Sequence, residues 1–599
     1  MSFAGLVLLG RCLRSLVTRR RSRAMPKLRW MTLLSGACVL PLLAQAAAAE
    51  NTVVRRFDNG SGVNAVGIID ASEDVEINGP QALTADENGN LFLLDQVNGR
   101  IVRFDPKNPG GDMRILNLPG DVRPSDLVVR KSDILVWDGS IRALQTQGPD
   151  TSSTRGLEEV STRAGDDEFA VSAFAQMGSQ APGSETDLLD ANTRAVESKK
   201  ARPRARQYIA SRGAGSIIAD IIPDKAGNGA LIEVRAKDTP NPQDANPDEH
   251  PFTPKQLRLK VSDRLGAVEF LEIDHGGRMF VLAENIPSDS SQAATFVARY
   301  SASGVLEGIF ELPLDNSLPV TRRFVTISGD GDVYFLRTTK SGVDVVGVGF
   351  RSIGKSKVVD VRPARKNIFS FFFGKGGGPV AAVRPLDRQQ VIETAFAFEG
   401  VQWRLTPSAY GRDPDSACTG FNRIRRPGYL HGKLNQEVRG VPYCWGCHGS
   451  LANFRQRIER GTLAGNVCTH NAPRTDVAGV DCSAFVSATW GLSTHFTTAA
   501  IPSIATPLQN AWDLRPGDAL NKPHSHVMLF LRFTPDRKAE VMESSTGGCN
   551  GRVCRNVYPL ASLLARGYQP VRFKALANDN SLVAQAAMPE PHKGKKARR

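Results

Sequence analysis

The stretch from residue 480 to 492, VDCSAFVSATWGL, puts Cys482 at the head of an apolar run whose spacing (Phe485, Val486, Thr489, Trp490) is that of a helix. A thiol there faces unpaired amides and the positive end of the helix dipole, which favour the thiolate and so a nucleophile. Such a nucleophile needs a base within hydrogen-bond reach and a third group that orients the base. Downstream, a Pro-Gly-Asp turn (Pro516, Gly517, Asp518) leads to His526 at the mouth of an apolar strand. The turn FTPDRKAE then returns the chain along VMESS, which carries Glu543. So short a connection enforces antiparallel pairing and predicts His526 and Glu543 on adjacent strands. Taken singly, each residue has a plainer reading: a packed or disulfide-bonded cysteine, a surface histidine at a strand end, a solvated glutamate.

The elements that must position these groups belong to a chain of 599 residues, too long for one hydrophobic core. The net charge of +14 falls to +6 once residues 1–49, with eight basic and no acidic residues, are set aside. That modest charge is compatible with anionic wall polymers and gives no reason to expect nucleic acid as a partner. Within this segment Lys27 and Arg29 precede the apolar run WMTLLSGACVLPLLA and the small residues AQAAAA, so residues 1–49 read as a signal peptide. The run is short for a bilayer span, and the protein is not expected to be transmembrane after signal cleavage. The expected location is periplasmic or secreted. All seven remaining cysteines lie between Cys418 and Cys554, as expected of one disulfide-bearing module in an oxidising compartment. Six would remain to pair if Cys482 is free, with Cys549 and Cys554 of CNGRVC the easiest local pair.

Residues 50–365 read as short strands joined by Asn-Gly and Asp-Gly turns, with a loose repeat at 81–104, 125–144, 267–300 and 324–350. The best copy, DENGNLFLLDQVNGRIVRF (Asp86 to Phe104), resembles the signature of NHL-type β-propellers, and about five or six blades would fit the length. A segment at about 145–206, poor in aromatics and rich in Ser, Thr, Gly and charge, reads as a disordered insertion. Residues 366–387, with IFSFFFGKGGGPV, read as a linker. Residues 388–576 form the cysteine-bearing module, opening on a helical segment expected over 388–405, and residues 577–599 a disordered basic tail.

Within that module, Pro442-Tyr443-Cys444-Trp445-Gly446-Cys447, Asp481-Cys482-Ser483-Ala484-Phe485-Val486, Pro516-Gly517-Asp518, His526-Val527-Met528-Leu529-Phe530-Leu531 and Glu543-Ser544-Ser545 follow one another in sequence. This order resembles the NlpC-type family of papain-like cell-wall cysteine peptidases. The resemblance implies an α+β papain-like fold, with Cys482 as nucleophile, His526 as base and acid, Glu543 as its orienter and Tyr443 near the oxyanion. It also implies peptidoglycan stem peptide as substrate, with no cofactor and no metal. His526 is preferred to His524 because it precedes the strand directly. Ala484 and Cys447 stand where the family has glycine, and Glu543 where histidine is common; a carboxylate can still orient and stabilise an imidazolium.

Cys444-Trp445-Gly446-Cys447-His448 is also a C-x-x-C-H string of the kind that attaches c-type haem, and with Cys468 and His470 its spacing suggests zinc. Overlap with the family motif and an oxidising compartment favour a disulfide instead. The expected protein is thus an all-β propeller followed by an α+β cysteine hydrolase. The alternative is a catalytically silent periplasmic scaffold acting through the propeller on a protein partner.

Overall fold

The computed structural model describes residues 50–576 apart from segments 70–73, 147–153, 160–204, 238–251, 363–385, 412–423 and 470–475 and some shorter stretches. The expected signal peptide and tail, and most of the expected linker and insertion, lie outside the described residues; of the linker, Leu386 bridges to Leu576 and Asp387 caps the helix that follows. Within that insertion, however, Thr154–Glu159 forms a strand paired with Ile141–Thr146.

Among the described residues of the N-terminal half, five sheets of four or five strands follow one another, all antiparallel except for the short parallel pairing of Thr52–Asn59 with Ala65–Val66. The first strands of these sheets (Ala82–Ala85, Asp126–Arg130, Ala205–Ser211, Arg264–Ile273, Val325–Ile327) sit innermost. Ala82–Ala85 packs beside both Asp126–Arg130 and Val325–Ile327, and Arg264–Ile273 lies between Ala205–Ser211 and Val325–Ile327. The last sheet is completed by the first strand of the chain, Thr52–Asn59, which pairs antiparallel with Gly342–Gly347. Closing the ring with an N-terminal strand removes the exposed edge that an open repeat would leave. The region is therefore propeller-like, with five blades among the described residues.

The repeat signature explains itself physically. Asp86 accepts the amides of Asn88 and Asn90 and so shapes the turn between the first two strands of its blade. Buried Asp95 accepts the Gly67 amide (3.0 Å), the Asn98 side chain (2.7 Å) and the Arg100 guanidinium (2.9 Å), binding the blade to the entering chain. A buried carboxylate is tolerable only when its lone pairs are occupied in this way.

The C-terminal half is built on a six-stranded antiparallel sheet in the spatial order Ala505–Pro507, Gln569–Phe573, Ala519–Lys522, His526–Phe533, Ala539–Ser545, Arg552–Tyr558. Helices Arg388–Gly400 and Cys482–Thr489 cover one face, where Phe398 meets Phe485 edge to face (5.7 Å between centroids). Val486, Val527, Leu529, Leu531 and Met542 belong to the same core. The helix expected over 388–405 ends at Gly400, because Val401 adopts an extended conformation and Gln402–Arg404 pairs with Glu437–Arg439 instead.

The two halves share a core. Ile286 and Ala293 of the fourth blade pack with Leu514, Leu520, Met528, Leu560 and Tyr568. Beside them, wholly buried Glu284 accepts the amides of Ala267 (3.0 Å) and Ser562 (3.1 Å). Burial raises its carboxyl to about 7 against these amides. A carboxyl raised from 4.5 to about 7 binds its proton more tightly in the folded protein, so its stabilising effect is complete below 4.5 and is lost as the pH climbs to about 7. Glu284→Gln should remove a decline on the order of 3 kcal/mol across that interval, measured by urea unfolding at stepped pH.

Candidate active site

Asp481, in extended conformation, caps the helix Cys482–Thr489 by accepting the Ala484 amide at 2.7 Å, and its other oxygen takes the Gly446 amide at 3.0 Å. Cys482 is thereby fixed in the first turn, and it is the free cysteine among the described residues, fully buried. The Ser544 hydroxyl donates to the Val480 carbonyl at 2.9 Å, pinning the approach to this helix against the strand that carries Glu543.

Leu529 pairs with Met542. Continued to the strand end, that register makes His526 and Glu543 diagonal neighbours on one face, within reach of long side chains. The His526 Nε2 and the Glu543 Oε2 are 2.5 Å apart, and the Cys482 thiol stands within hydrogen-bond reach of the same imidazole. With Nε2–H committed to the carboxylate, Nδ1 is the nitrogen able to take the thiol proton. His524 lies in the preceding turn, exposed and at φ +60°, away from this line.

The next strand supplies the rest of the carboxylate's surroundings. Asn556 Nδ2 (2.6 Å) and the Tyr558 hydroxyl (2.8 Å) both donate to Glu543 Oε1, so its two oxygens are engaged by three donors. Arg322 of the propeller half in turn donates to the side-chain oxygen Oδ1 of Asn556. Burial alone would raise the Glu543 carboxyl, but the His526, Asn556 and Tyr558 donors outweigh it and hold the group below its ordinary range. Burial opposes a charged imidazole, yet the Cys482 thiol and Glu543 hold His526 well above its usual value. Burial pushes the Cys482 thiol up, against the pull of His526.

Tyr443, expected near the oxyanion, is buried and lines a cleft shared with His526, Glu543 and Tyr558. Its backbone is fixed by the Gly551 carbonyl (2.8 Å) and by pairing with Val480. Burial, with Cys482 and Asp481 nearby, raises its phenol far above the ordinary value, so it stays a proton donor. Three of the four expected residues, His526, Glu543 and Tyr443, thus line one cleft, and Cys482, wholly buried, adjoins His526 without lining it.

Cys444 and Cys447 are joined in a disulfide, as are Cys549 and Cys554, and Cys468 is also disulfide-bonded. The C-x-x-C sulfurs are therefore bonded to each other.

Sequence reading took Asp481 as part of the triplet that opens the helix but gave it no role of its own, although an Asp ahead of an apolar helix is a capping signal. Asn556 and Tyr558 were also missed; their alternation on the strand after Glu543 was the available clue. Asp74, whose carbonyl oxygen lies 3.4 Å from the Cys482 sulfur, left no signal at a separation of 408 residues.

No family model matches this chain, and neither does any curated protein. Among solved structures it overlaps a streptogramin B lyase (11% identity over 50% of this chain and 98% of the other, TM-score 0.20). It also overlaps the PQQ-bound aldose sugar dehydrogenase of Streptomyces coelicolor (10%, 51% and 100%, TM-score 0.23) and the β-propeller domain of Vanderwaltozyma polyspora Nup133 (10%, 51% and 83%, TM-score 0.18). The propeller-like description of residues 52–352 rests on its own ring of sheets.

The pair has a pH signature. Stability from Glu543, whose carboxyl is lowered on folding, is complete above 4.5 and lost as the pH falls through its folded value. Stability from His526, raised on folding, is complete below 6.5 and lost as the pH rises through its folded value. Glu543→Ala strands a buried imidazolium. It should lower unfolding free energy by about 3–5 kcal/mol between those two pH values, read from the urea midpoint.

Proposed function

We propose that the chain is an exported cysteine hydrolase that cleaves an amide bond in the peptide stem of peptidoglycan. In this reading residues 388–576 form an NlpC-type, papain-like α+β domain, and the propeller serves recognition or scaffolding for a protein partner. The observation that carries it is the buried line from Cys482 through His526 to Glu543, with the carboxylate locked by Asn556 and Tyr558. A packed structural cysteine would have no use for an oriented imidazole behind it.

In the reaction, Nδ1 of His526 takes the thiol proton as Sγ of Cys482 attacks the amide carbonyl carbon. Negative charge moves to the carbonyl oxygen, where the Tyr443 phenol and the backbone amide of Cys482 at the helix start are the candidate donors. The tetrahedral intermediate collapses as His526 returns the proton to the leaving nitrogen, freeing the amine and leaving a thioester. Water, deprotonated by His526, then releases the acid and restores the thiol. Glu543 keeps Nε2 protonated throughout and stabilises the imidazolium without itself accepting a proton.

The apolar segment within residues 25–49 and the disulfides among Cys444, Cys447, Cys549 and Cys554 support a periplasmic or secreted location. The substrate class is carried over from the motif order and from export. The silent-scaffold alternative is favoured by one observation, the complete burial of Cys482.

Digestion of purified sacculi followed by mass spectrometry of the muropeptides should show stem-peptide cleavage by the wild type and none by Cys482→Ala. Glu543→Gln should lower the rate on the order of 10⁴-fold. Equal cleavage by wild type and Cys482→Ala would sink the mechanism.

A further inference from the structure

The Cys482 thiol is covered by the protein's own N-terminal half. Ile69 and Asn78 exchange backbone hydrogen bonds (2.8 and 2.9 Å), and Asp74, which lies between them in sequence, makes its contacts with the C-terminal half. Asp74 is 5% exposed and Cys482 0%. The Asp74 carbonyl oxygen accepts the Cys482 S–H at 3.4 Å. Its carboxylate accepts from two donors of the C-terminal half, the Thr498 amide (2.8 Å) and the Thr498 hydroxyl, and its other oxygen lies 3.4 Å from the Ser483 hydroxyl oxygen.

The receiving groups are themselves fixed. Thr498 is wholly buried, and its carbonyl accepts from Asn521 Nδ2 at 3.0 Å. Ser483 also contacts Asp481 (3.0 Å) and His495 (2.7 Å). Asp74 holds its place at φ +60°, a conformation that aspartate tolerates better than most residues but does not prefer. The fit is thus made by specific polar partners at some backbone cost.

We propose that the Asp74 turn is an intramolecular inhibitor, seated where a substrate carbonyl must come and holding Cys482 closed until it is displaced. The inference rests on the hydrolase reading only for what is being inhibited; occlusion of the thiol stands on geometry. A thiol has one proton, and here the Asp74 carbonyl competes with His526 for it. The pose is unproductive for cleavage of the Asp74–Val75 bond, because the sulfur lies against the carbonyl oxygen and among the described residues no second donor reaches that oxygen to serve as an oxyanion site. Being tethered, the turn competes with substrate at the effective concentration of a linked ligand, on the order of millimolar. Val75, Ile77 and Asn78 of the same segment wall the cleft opposite Tyr443, His526 and Glu543, so moving the turn also opens the space beside the base.

The test is the rate at which iodoacetamide alkylates Cys482 in the full-length protein near neutral pH, with the modified site located by peptide mapping. Asp74→Ala should accelerate alkylation at least tenfold over wild type. Thr498→Val, which removes the hydroxyl donor and leaves the amide, should give an intermediate gain and guards against misfolding of the first variant; thermal unfolding of both should remain cooperative. Equal alkylation rates in wild type and both folded variants would overturn the proposal. Faster alkylation without any cleavage of sacculi would uphold the inhibitor and count against the hydrolase.

Discussion

The carboxylate of Glu543 is the charge on which the site depends. It is buried, and an unpaired anion there would be unaffordable in a protein of ordinary stability. Three donors make it tolerable: His526 on the neighbouring strand and Asn556 and Tyr558 on the other. The same bonds that solvate it leave His526 one available orientation, with Nε2 turned inward and Nδ1 turned toward the helix that bears Cys482. Satisfying a buried charge and aiming a base are here one structural act.

That arrangement also requires the propeller. Arg322 supports Asn556 from across the boundary, the Asp74 turn covers the thiol, and the apolar cluster around Ile286 and Leu520 belongs to both halves. Lys538, wholly buried, pairs with Glu269 of the fourth blade at 2.8 Å. The fifth sheet, completed by the chain's own N-terminal strand, packs beside the first and the fourth. The strand pairing that completes the fifth blade thus bears indirectly on how the cleft is walled.

How much of this was legible follows from the range of the interactions. The hairpin joining His526 to Glu543 is local, so turn chemistry and alternation announced it. The helix start at Cys482 was visible in its apolar spacing, and the first blade in the run from Asp86 to Phe104, where carboxylates shape turns a few residues away. Tyr443 depended on resemblance alone. The helix boundary at Gly400 was misplaced because strand pairing of Trp403 with Val438, a tertiary event, overrode a pattern that could continue as helix. Asp74, Thr498 and Arg322 were invisible because each acts through a contact between distant parts of the chain, and nothing in their neighbours' identities encodes it.

The central claim is that Cys482 carries a covalent acyl intermediate. The direct measurement is rapid-quench intact-mass analysis of the Asp74→Ala protein mixed with a purified peptidoglycan stem peptide. The account predicts a transient adduct equal to the acyl fragment, mapped to Cys482, that forms and decays as cleaved product appears. A Cys482 that stays unmodified throughout, whether or not the peptide is cleaved, would contradict it.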